Sequence, residues 1–303
     1  MVRVFDLECN LPSEANESMT THQDRGIGPV TPNRTKPLPG YGLANYGTIF
    51  PSRRPETEDH PADAPTLDEL VRRLNAAGVE KAVLADPRTS NAVIVQAVQA
   101  YPDNFIGLAY VSPYDGMRAS RELERIVRED GLRGLMVSAL TDVLPASDRR
   151  YYPLYAKCVE LGIPARIYAS MNYANDRAYD LGHPHHLDQV AVDFPELTII
   201  AGLSGWPWVS DTVALTRRHP NLYCDTAAHR PKYFGVKGSG WEQFLQFGNT
   251  LLQDKVMVGL SWALLGDSFE NLIGEYMALP LKERVKEKWL FENAARVFGV
   301  DQA

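Results

Sequence analysis

The chain has 303 residues, of which 45% are hydrophobic and 23% charged. This composition is ordinary for a globular protein, and the length fits two average domains or one α/β barrel of about 250 residues. The 31 basic and 38 acidic residues leave a net charge of −7. The basic residues are scattered, which argues against a nucleic-acid-binding protein. No apolar run has the roughly 18 residues needed to cross a membrane, so we expect no membrane partner.

Strand-like and helix-like segments alternate along the chain. Apolar strands are predicted at residues 2–9, 81–85, 105–111, 132–138, 164–169, 197–203, 222–226 and 255–260. Helices are predicted at 66–77, 91–101, 119–128, 152–161, 187–194, 208–218, 241–252, 270–277 and 281–298. Eight strands, each followed by a helix, predict an α/β fold of the (β/α)8 TIM-barrel type, and we expect residues 1–303 to form this one domain.

An open, doubly wound sheet is the competing fold. That fold requires a glycine-rich phosphate-binding turn after its first strand, whereas the first strand here ends in Glu8, Cys9 and Asn10. The barrel is therefore favoured. In a barrel of this type the chemistry lies at the C-terminal ends of the strands, so the residues at those ends are the candidates for function.

Residues 11–64 interrupt the alternation. They are rich in Pro, Gly, Asn, Ser and Thr, and a segment of this length without regular structure is typical of a functional loop. We predict an inserted loop or lid over the barrel mouth, with Tyr46 among the aromatic residues that would close on an apolar or aromatic substrate. Ordinary packing of a long loop against the barrel is the alternative.

Cysteine usage points to a reducing compartment. The three cysteines, Cys9, Cys158 and Cys224, are few and odd in number, which is typical of reduced thiols. The sequence starts in a strand-like run without an apolar signal segment. We therefore expect a cytoplasmic protein.

Four segments outside the 11–64 loop resemble the amidohydrolase-related family, in the branch that includes aminocarboxymuconate-semialdehyde decarboxylase. They are LDQVAVDFPEL at 187–197, GWPW at 205–208, DKVMVG at 254–259 and NAARVFG at 293–299. The resemblance covers nearly the whole chain and agrees with the barrel. It implies hydrolysis or non-oxidative decarboxylation assisted by a divalent metal, and it also implies a homodimer.

The metal-ligand positions of that family are substituted in this chain. Where the family has a His-x-His pair at the first strand, this sequence has Glu8 and Asn10. The family's histidines after strands five and six correspond to Tyr168 and to a position near Leu203, and its aspartate at strand eight corresponds to Ser261. Because zinc prefers imidazole, thiolate and carboxylate ligands, we predict no metal and no other cofactor. A hard cation held loosely by Glu8 and Asn10 is the alternative.

Ionisable side chains remain at the predicted ends of strands one and five. Glu8 and Asp6 share a strand face because they are two residues apart, and two close carboxylates raise one pKa for acid/base work. Arg166 and Tyr168 share a face in the same way. Arg166 would hold a substrate carboxylate, and Tyr168 would donate a proton. An internal Glu–Arg pair that fills the space of a metal is the alternative.

Strands seven and eight add further candidates. Asp225 and His229 flank the end of strand seven, and a histidine beside a carboxylate is a general acid/base arrangement; a surface position for His229 is the alternative. Ser261 and Trp262 follow strand eight, and we predict that they contact the substrate together with Asn10.

Two other groups are predicted to be structural. His183, His185 and His186 form a local tract of a kind that suggests metal binding, yet helix-capping or loop positions are favoured for them. Cys9 is expected to face away from Glu8 as an inert buried thiol.

Two functions from different classes follow. The first is a metal-independent enzyme that applies side-chain acid/base chemistry to a small carboxylated, cyclic or aromatic compound. Its step would be a hydrolysis, a lyase or decarboxylase-type reaction, or a cyclisation or isomerisation. The second is a non-catalytic barrel that binds a ligand or a partner. The replacements at the barrel mouth are mostly polar and ionisable, which favours the enzyme.

Overall fold

A parallel barrel of short strands surrounded by helices is seen in the computed structural model, which describes residues 2–11, 65–87, 89–172 and 177–300. The predicted loop, including Tyr46, lies outside these residues from position 12 onward. The strands are β1 Val4–Asp6, β2 Val79–Leu84, β3 Phe105–Gly107, β4 Leu135–Val137, β5 Ala165–Tyr168, β6 Ile199–Gly202, β7 Leu222–Asp225 and β8 Val256–Met257.

The α-helices follow the strands as the sequence predicts. They are α1 Leu67–Ala77, α2 Asn91–Ala100, α3 Met117–Glu129, α4 Ala139–Asp142, α5 Tyr152–Leu161, α6 His185–Asp193, α7 Val209–Arg218, α8 Glu242–Gly248, α9 Trp262–Leu265, α10 Phe269–Met277, α11 Glu283–Glu287 and α12 Asn293–Phe298. In the described ranges, no helix is both long and apolar enough to cross a membrane.

Two parallel sheets close into the barrel. One contains β1-β2-β3 and the other β4-β5-β6-β7-β8. The first seam between them is a bridge from Ala109 to Leu135. At the second seam the Leu7 amide donates to the Val258 carbonyl at 2.9 Å, and the Ser261 amide donates to the Glu8 carbonyl at 3.1 Å. The predicted (β/α)8 fold is confirmed.

The barrel interior is filled by apolar side chains that alternate with outward-facing ones along each strand. The inward set includes Phe5, Leu7, Val83, Ile106, Met136, Ile200 and Met257, packed against Phe291 and Phe298 near the C-terminus. Arg166 stands out because it is a charged residue inside this interior, with 1% of its surface exposed. A buried guanidinium needs partners, and they lie at the barrel mouth.

Three local features differ from the sequence predictions. The first strand is shorter than 2–9 because the Glu8 amide donates to the Asp6 side chain instead of continuing the ladder. The helix predicted at 281–298 is divided by a π-helical turn at Lys288–Glu292, which buries Trp289, Leu290 and Phe291 in succession. The short helices α4 and α9 were missed, since four residues are too few to show a periodic pattern.

Candidate functional site

Three ionisable side chains from different strands meet at the C-terminal end of the barrel. Arg166, on β5, donates from Nε to Asp225 Oδ2 on β7 at 2.7 Å and from Nη2 to Asp225 Oδ1 at 3.3 Å. The same Nη2 donates to Glu8 Oε2, just beyond β1, at 2.7 Å. We call Glu8, Arg166 and Asp225 the central cluster. The sequence placed all three at strand ends, and the structure brings them together.

Asp225 is the most enclosed member of the central cluster. None of its side chain is exposed, and its Oδ1 also accepts from the Leu203 amide at 3.0 Å and from the Ala227 amide at 3.1 Å. Charge-assisted bonds of this kind fix a carboxylate in place. Asp225 therefore orients Arg166 and has no freedom to swing toward a ligand.

Arg166 is equally constrained. Burial alone would lower the pKa of Arg166, but the Asp225 and Glu8 carboxylates outweigh it and hold the pKa above its ordinary value. Its remaining terminal nitrogen, Nη1, lies 4.0 Å from the Met136 sulfur. Since the side chain is 2% exposed, the guanidinium is enclosed by its partners and presents almost no surface to a ligand.

Glu8 is the member of the central cluster that reaches solvent, with 19% of its side chain exposed. Its Oε1 accepts from the Ser261 hydroxyl at 3.0 Å, and that hydroxyl oxygen accepts from the Ala228 amide at 2.7 Å. Ser261 itself is fully buried and holds a left-handed backbone conformation, with φ 48°. Ser261 thus orients Glu8 and offers no free surface to a ligand.

Asp6 lies beneath Glu8 and is fully buried. Its Oδ1 accepts from the Leu260 amide at 2.7 Å and from the Glu8 amide at 3.0 Å, while its Oδ2 has no hydrogen-bond partner among the residues described. Burial raises the pKa of Asp6 to about 7, and the nearby Glu8 charge adds to the rise. The close carboxyl pair expected from the sequence is present, with Asp6 as its high-pKa member.

His229 is a buried residue rather than a surface one, with 8% of its surface exposed. Its ring lies 5.0 Å from that of Trp241 and 6.1 Å from that of Trp206. Burial lowers its pKa to about 4, against the opposing effects of a hydrogen bond with the Leu203 backbone and the Asp225 charge. The imidazole is therefore neutral at pH 7.

An apolar cluster borders the central cluster. It contains Ala139, Tyr168, Leu203, Ala227 and Ala228, with the partly exposed Leu140, Leu181 and Leu264 packed against it. We call these eight residues the apolar wall. The Tyr168 hydroxyl donates to the Met171 carbonyl at 2.9 Å. Since the wall draws on the ends of β4 to β8, it lines the mouth on the side away from β1 to β3.

Asn10, Trp262 and the histidine tract belong neither to the central cluster nor to the apolar wall. The Oδ1 of Asn10 is buried and accepts no hydrogen bond within the described ranges. The Trp262 indole lies near the Cys9 thiol and 5.6 Å from the Phe269 ring. His185 and His186 lie in the first turn of α6, and the centre of the His183 ring lies 4.2 Å from that of Trp208, with the two planes tilted by 35°.

Sequence reasoning missed the backbone of the site. Leu203, Ser204, Ala228 and Ser261 all have positive φ, a conformation that costs non-glycine residues about 1 kcal/mol or more. Each lies just after β6, β7 or β8. No glycine marks these positions, so the sequence carried no signal of the turns that aim amide groups at Asp225 and Ser261.

The comparisons with known proteins place this chain in a family. Residues 45–300 match the family model described as "Amidohydrolase", so the chain belongs to the amidohydrolase family, and the resemblance found in the sequence is confirmed. The solved structures that are similar include an uncharacterized TIM-barrel protein from Bordetella bronchiseptica, with 24% identity, TM-score 0.74, and 98% of this chain and 99% of that chain covered.

A second similar structure is 5-carboxyvanillate decarboxylase from Sphingomonas paucimobilis, with 17% identity, TM-score 0.65, and 99% and 100% of the two chains covered. Both structures establish the fold alone. A curated relative, the 2-keto-4-carboxy-3-hexenedioate hydratase of Sphingobium sp., is 36% identical over 88 residues. That match spans 26% of this chain and 26% of the hydratase, about a quarter of the relative's length.

The donor set at this mouth does not fit the divalent metal that the family implies. Within the described ranges, no group of three or more His, Cys, Asp or Glu side chains is arranged to hold a metal ion. Of the five substituted ligand positions, Glu8 alone is a carboxylate, and it is bound to the Arg166 guanidinium. A fixed positive charge beside the strongest remaining ligand opposes a second cation.

Proposed function

We propose that this protein is a metal-independent enzyme of the amidohydrolase family that applies side-chain acid/base chemistry to a small cyclic or aromatic compound. The observation that carries the proposal is Glu8, partly exposed at the mouth and held by Arg166 and Ser261 from two other strands. A carboxylate fixed in one orientation with access to the mouth is a suitable acid or base. The groups that hold Glu8 in this orientation, Arg166 and Ser261, are side chains of the protein.

The exposure of each side chain to solvent suggests its role in the reaction. Glu8 takes a proton from a substrate hydroxyl or a water molecule and returns it to the departing group. Arg166 and Asp225 act as positioning residues for Glu8, because both are buried and fully engaged with each other. Ser261 does the same from β8. Arg166 thus takes the role of orienting Glu8 rather than that of holding a substrate carboxylate.

His229 and Tyr168 are proposed as secondary proton carriers. A neutral imidazole at pH 7 can accept a proton or donate a hydrogen bond without adding charge to the mouth. Tyr168 borders the same region through the apolar wall. Asn10, Trp262 and Tyr46 stay as predicted substrate contacts.

The reaction class is supported by the relatives. The curated relative is named as a hydratase of a carboxylated keto acid, and a structural neighbour as a decarboxylase of an aromatic carboxylate. Both names fit small carboxylated substrates and lyase-type steps, in which proton transfer to or from carbon is central. Hydrolysis and a cyclisation or isomerisation use the same acid/base group, and all three remain within the proposal.

The first experiment is metal analysis of the purified full chain, followed by a screen of cyclic and aromatic carboxylic acids for turnover with and without a chelator. We expect substoichiometric zinc and manganese and unchanged turnover after chelation. Glu8→Gln should then abolish turnover while leaving the melting temperature close to that of the wild type. Stoichiometric metal that is lost together with activity would overturn metal independence.

A non-catalytic binding barrel is the second candidate. It is favoured by the complete internal pairing of Arg166, which resembles a structural ion pair filling the barrel mouth. The two functions differ in one readout. If a small molecule raises the melting temperature but no compound in the screen is converted, the binding barrel is supported and the enzyme is not.

A small-molecule ligand without nucleic-acid or membrane partners remains the proposed partner class. The homodimer and the cytoplasmic location remain predictions, as does the single domain with an inserted loop. Sedimentation analysis of the full chain tests the dimer directly.

A further inference from the structure

The sign of the charge at the barrel mouth restricts the ligand. Two carboxylates, Glu8 and Asp225, face one guanidinium, Arg166. With both ionised, the central cluster carries one net negative charge. Asp6 lies behind Glu8 and brings no positive charge. A divalent metal would present the opposite sign to a ligand at this point.

The free hydrogen-bonding groups of the central cluster also disfavour an anionic ligand. Two nitrogens of Arg166 already donate to carboxylates, and its third faces Met136 in the interior. The Ser261 hydroxyl donates to Glu8. What remains toward the mouth is the free lone pairs of the Glu8 oxygens, since a carboxylate accepts about four hydrogen bonds. Toward the mouth, the central cluster therefore offers hydrogen-bond acceptors and no hydrogen-bond donor.

The apolar wall lies next to the central cluster. Leu203 contacts both the central cluster and the wall, because its amide donates to Asp225 and its side chain belongs to the wall. Ala228 joins them again through its bond to Ser261. Three leucines of the wall, Leu140, Leu181 and Leu264, remain partly exposed. An apolar ring lying on this wall would direct one substituent toward Glu8.

We propose that the ligand binds with an uncharged ring against the apolar wall and a hydroxyl or amino hydrogen donated to Glu8, and that any carboxylate it carries points away from Glu8. This inference rests on the proposed site but does not need turnover. A ligand carboxylate beside Glu8 would meet like charge in a partly buried place, whereas a hydroxyl would find a ready acceptor. Leu203 is then one of the wall residues that pack against the ring, at the point where the wall meets the central cluster.

Phenol and benzoate are the matched probes. They share one ring and differ in whether the substituent donates a hydrogen bond or carries a negative charge. Binding of each to the full chain is measured by ligand-observed NMR titration near pH 7.5. We expect phenol to bind at least about fivefold more tightly than benzoate, a difference on the order of 1 kcal/mol. Equal or tighter binding of benzoate, or no detectable binding of phenol, would overturn the proposal.

Two variants locate the binding. Leu203→Asn removes the apolar side chain at a position with φ 67°, where asparagine is well tolerated. It should weaken phenol about fivefold or more. Leu251→Asn is the control for the same chemical change away from the site, because Leu251 is 60% exposed and precedes β8 at the other end of the barrel. It should leave phenol binding unchanged, and equal effects of the two variants would refute the role of Leu203.

Glu8→Gln tests the sign of the charge. It removes the net negative charge of the central cluster while keeping the shape of the side chain. We expect benzoate to bind more tightly to Glu8→Gln than to the wild type, so that the preference for phenol shrinks. Unchanged benzoate binding would contradict the charge argument. Phenol binding at this site without any turnover in the compound screen would refute the proposed enzyme and leave this inference standing.

Discussion

Replacing Asp6 by asparagine should stabilise the protein at alkaline pH, which is unusual for a fully buried side chain. Asparagine has the same shape as aspartic acid, and its side-chain oxygen can still accept from the Leu260 and Glu8 amides as Oδ1 of Asp6 does. It cannot ionise. The substitution therefore removes the cost of placing a negative charge in this buried site next to Glu8.

The magnitude follows from the pKa of Asp6. The unfolded chain holds this carboxyl near its ordinary value of 3.8, and burial raises the pKa to about 7 in the folded protein. The folded state therefore binds the proton of Asp6 more tightly than the unfolded state does. The stabilisation from this proton is complete below pH 4 and is lost as the pH rises through 7. Three pKa units correspond to roughly 4 kcal/mol at 25 °C. Asp6→Asn should avoid most of this loss.

The assay is urea unfolding of wild type and Asp6→Asn at about pH 5 and about pH 8. We expect the free energy of unfolding of the variant, relative to that of the wild type, to rise by roughly 2 to 3 kcal/mol from pH 5 to pH 8, since part of the loss has already occurred at pH 5. Other titrating groups are common to both proteins and cancel in the difference. A stability difference that does not change with pH would refute the assignment of a raised pKa to Asp6.

Three further predictions concern the central cluster and its neighbours. Arg166→Met leaves two carboxylates without their cation and should lower the free energy of unfolding in urea by about 3 to 5 kcal/mol. The control Arg128→Met removes an exposed helical ion pair and should lower it by under about 1 kcal/mol. Similar losses in the two variants would contradict the buried pairing. His229 should stay neutral in the folded protein as the pH falls from about 8 to 5. Because burial lowers its pKa from the ordinary 6.5 to about 4, its contribution to stability should be complete above 6.5 and be lost as the pH falls from there through 4. An NMR titration midpoint near the ordinary value would refute this. Ser261→Ala and Ser261→Gly both delete the hydrogen bonds of the hydroxyl group. Glycine also relieves the strain of the left-handed backbone, so the alanine variant should be less stable than the glycine variant by about 1 kcal/mol. Equal thermal stability of the two variants would show that the backbone carries no strain.

The sequence predicts the barrel well because its signal is local and repeated. Each strand is a short apolar run bounded by turns, and the helices between them show a helical period. The same regularity places Glu8 and Arg166 at strand ends, and parallel neighbours in a barrel bring such ends to one mouth. The sequence therefore predicts the pairing of Glu8 with Arg166 as one of two alternatives.

The rest of the site depends on features that have no local signal. The exposure of Arg166 decides whether it binds a ligand or orients Glu8, and this is set by Asp225, 59 residues away in the chain. Leu203 and Ala228 hold left-handed conformations although neither is a residue type that usually does so. Burial of His229 among Trp206 and Trp241 likewise arises from tertiary packing alone.

The seam between β8 and β1 has a consequence for how the site forms. The first and last strands of the barrel are joined there by the Leu7–Val258 and Ser261–Glu8 backbone bonds, and the Asp6 carboxyl receives the Leu260 amide across the same junction. Glu8 therefore acquires its Ser261 contact only when the two ends of the chain meet. Closure of the barrel and formation of the Glu8–Ser261 contact therefore depend on the same junction, so a chain with an open seam between β8 and β1 would lack that contact.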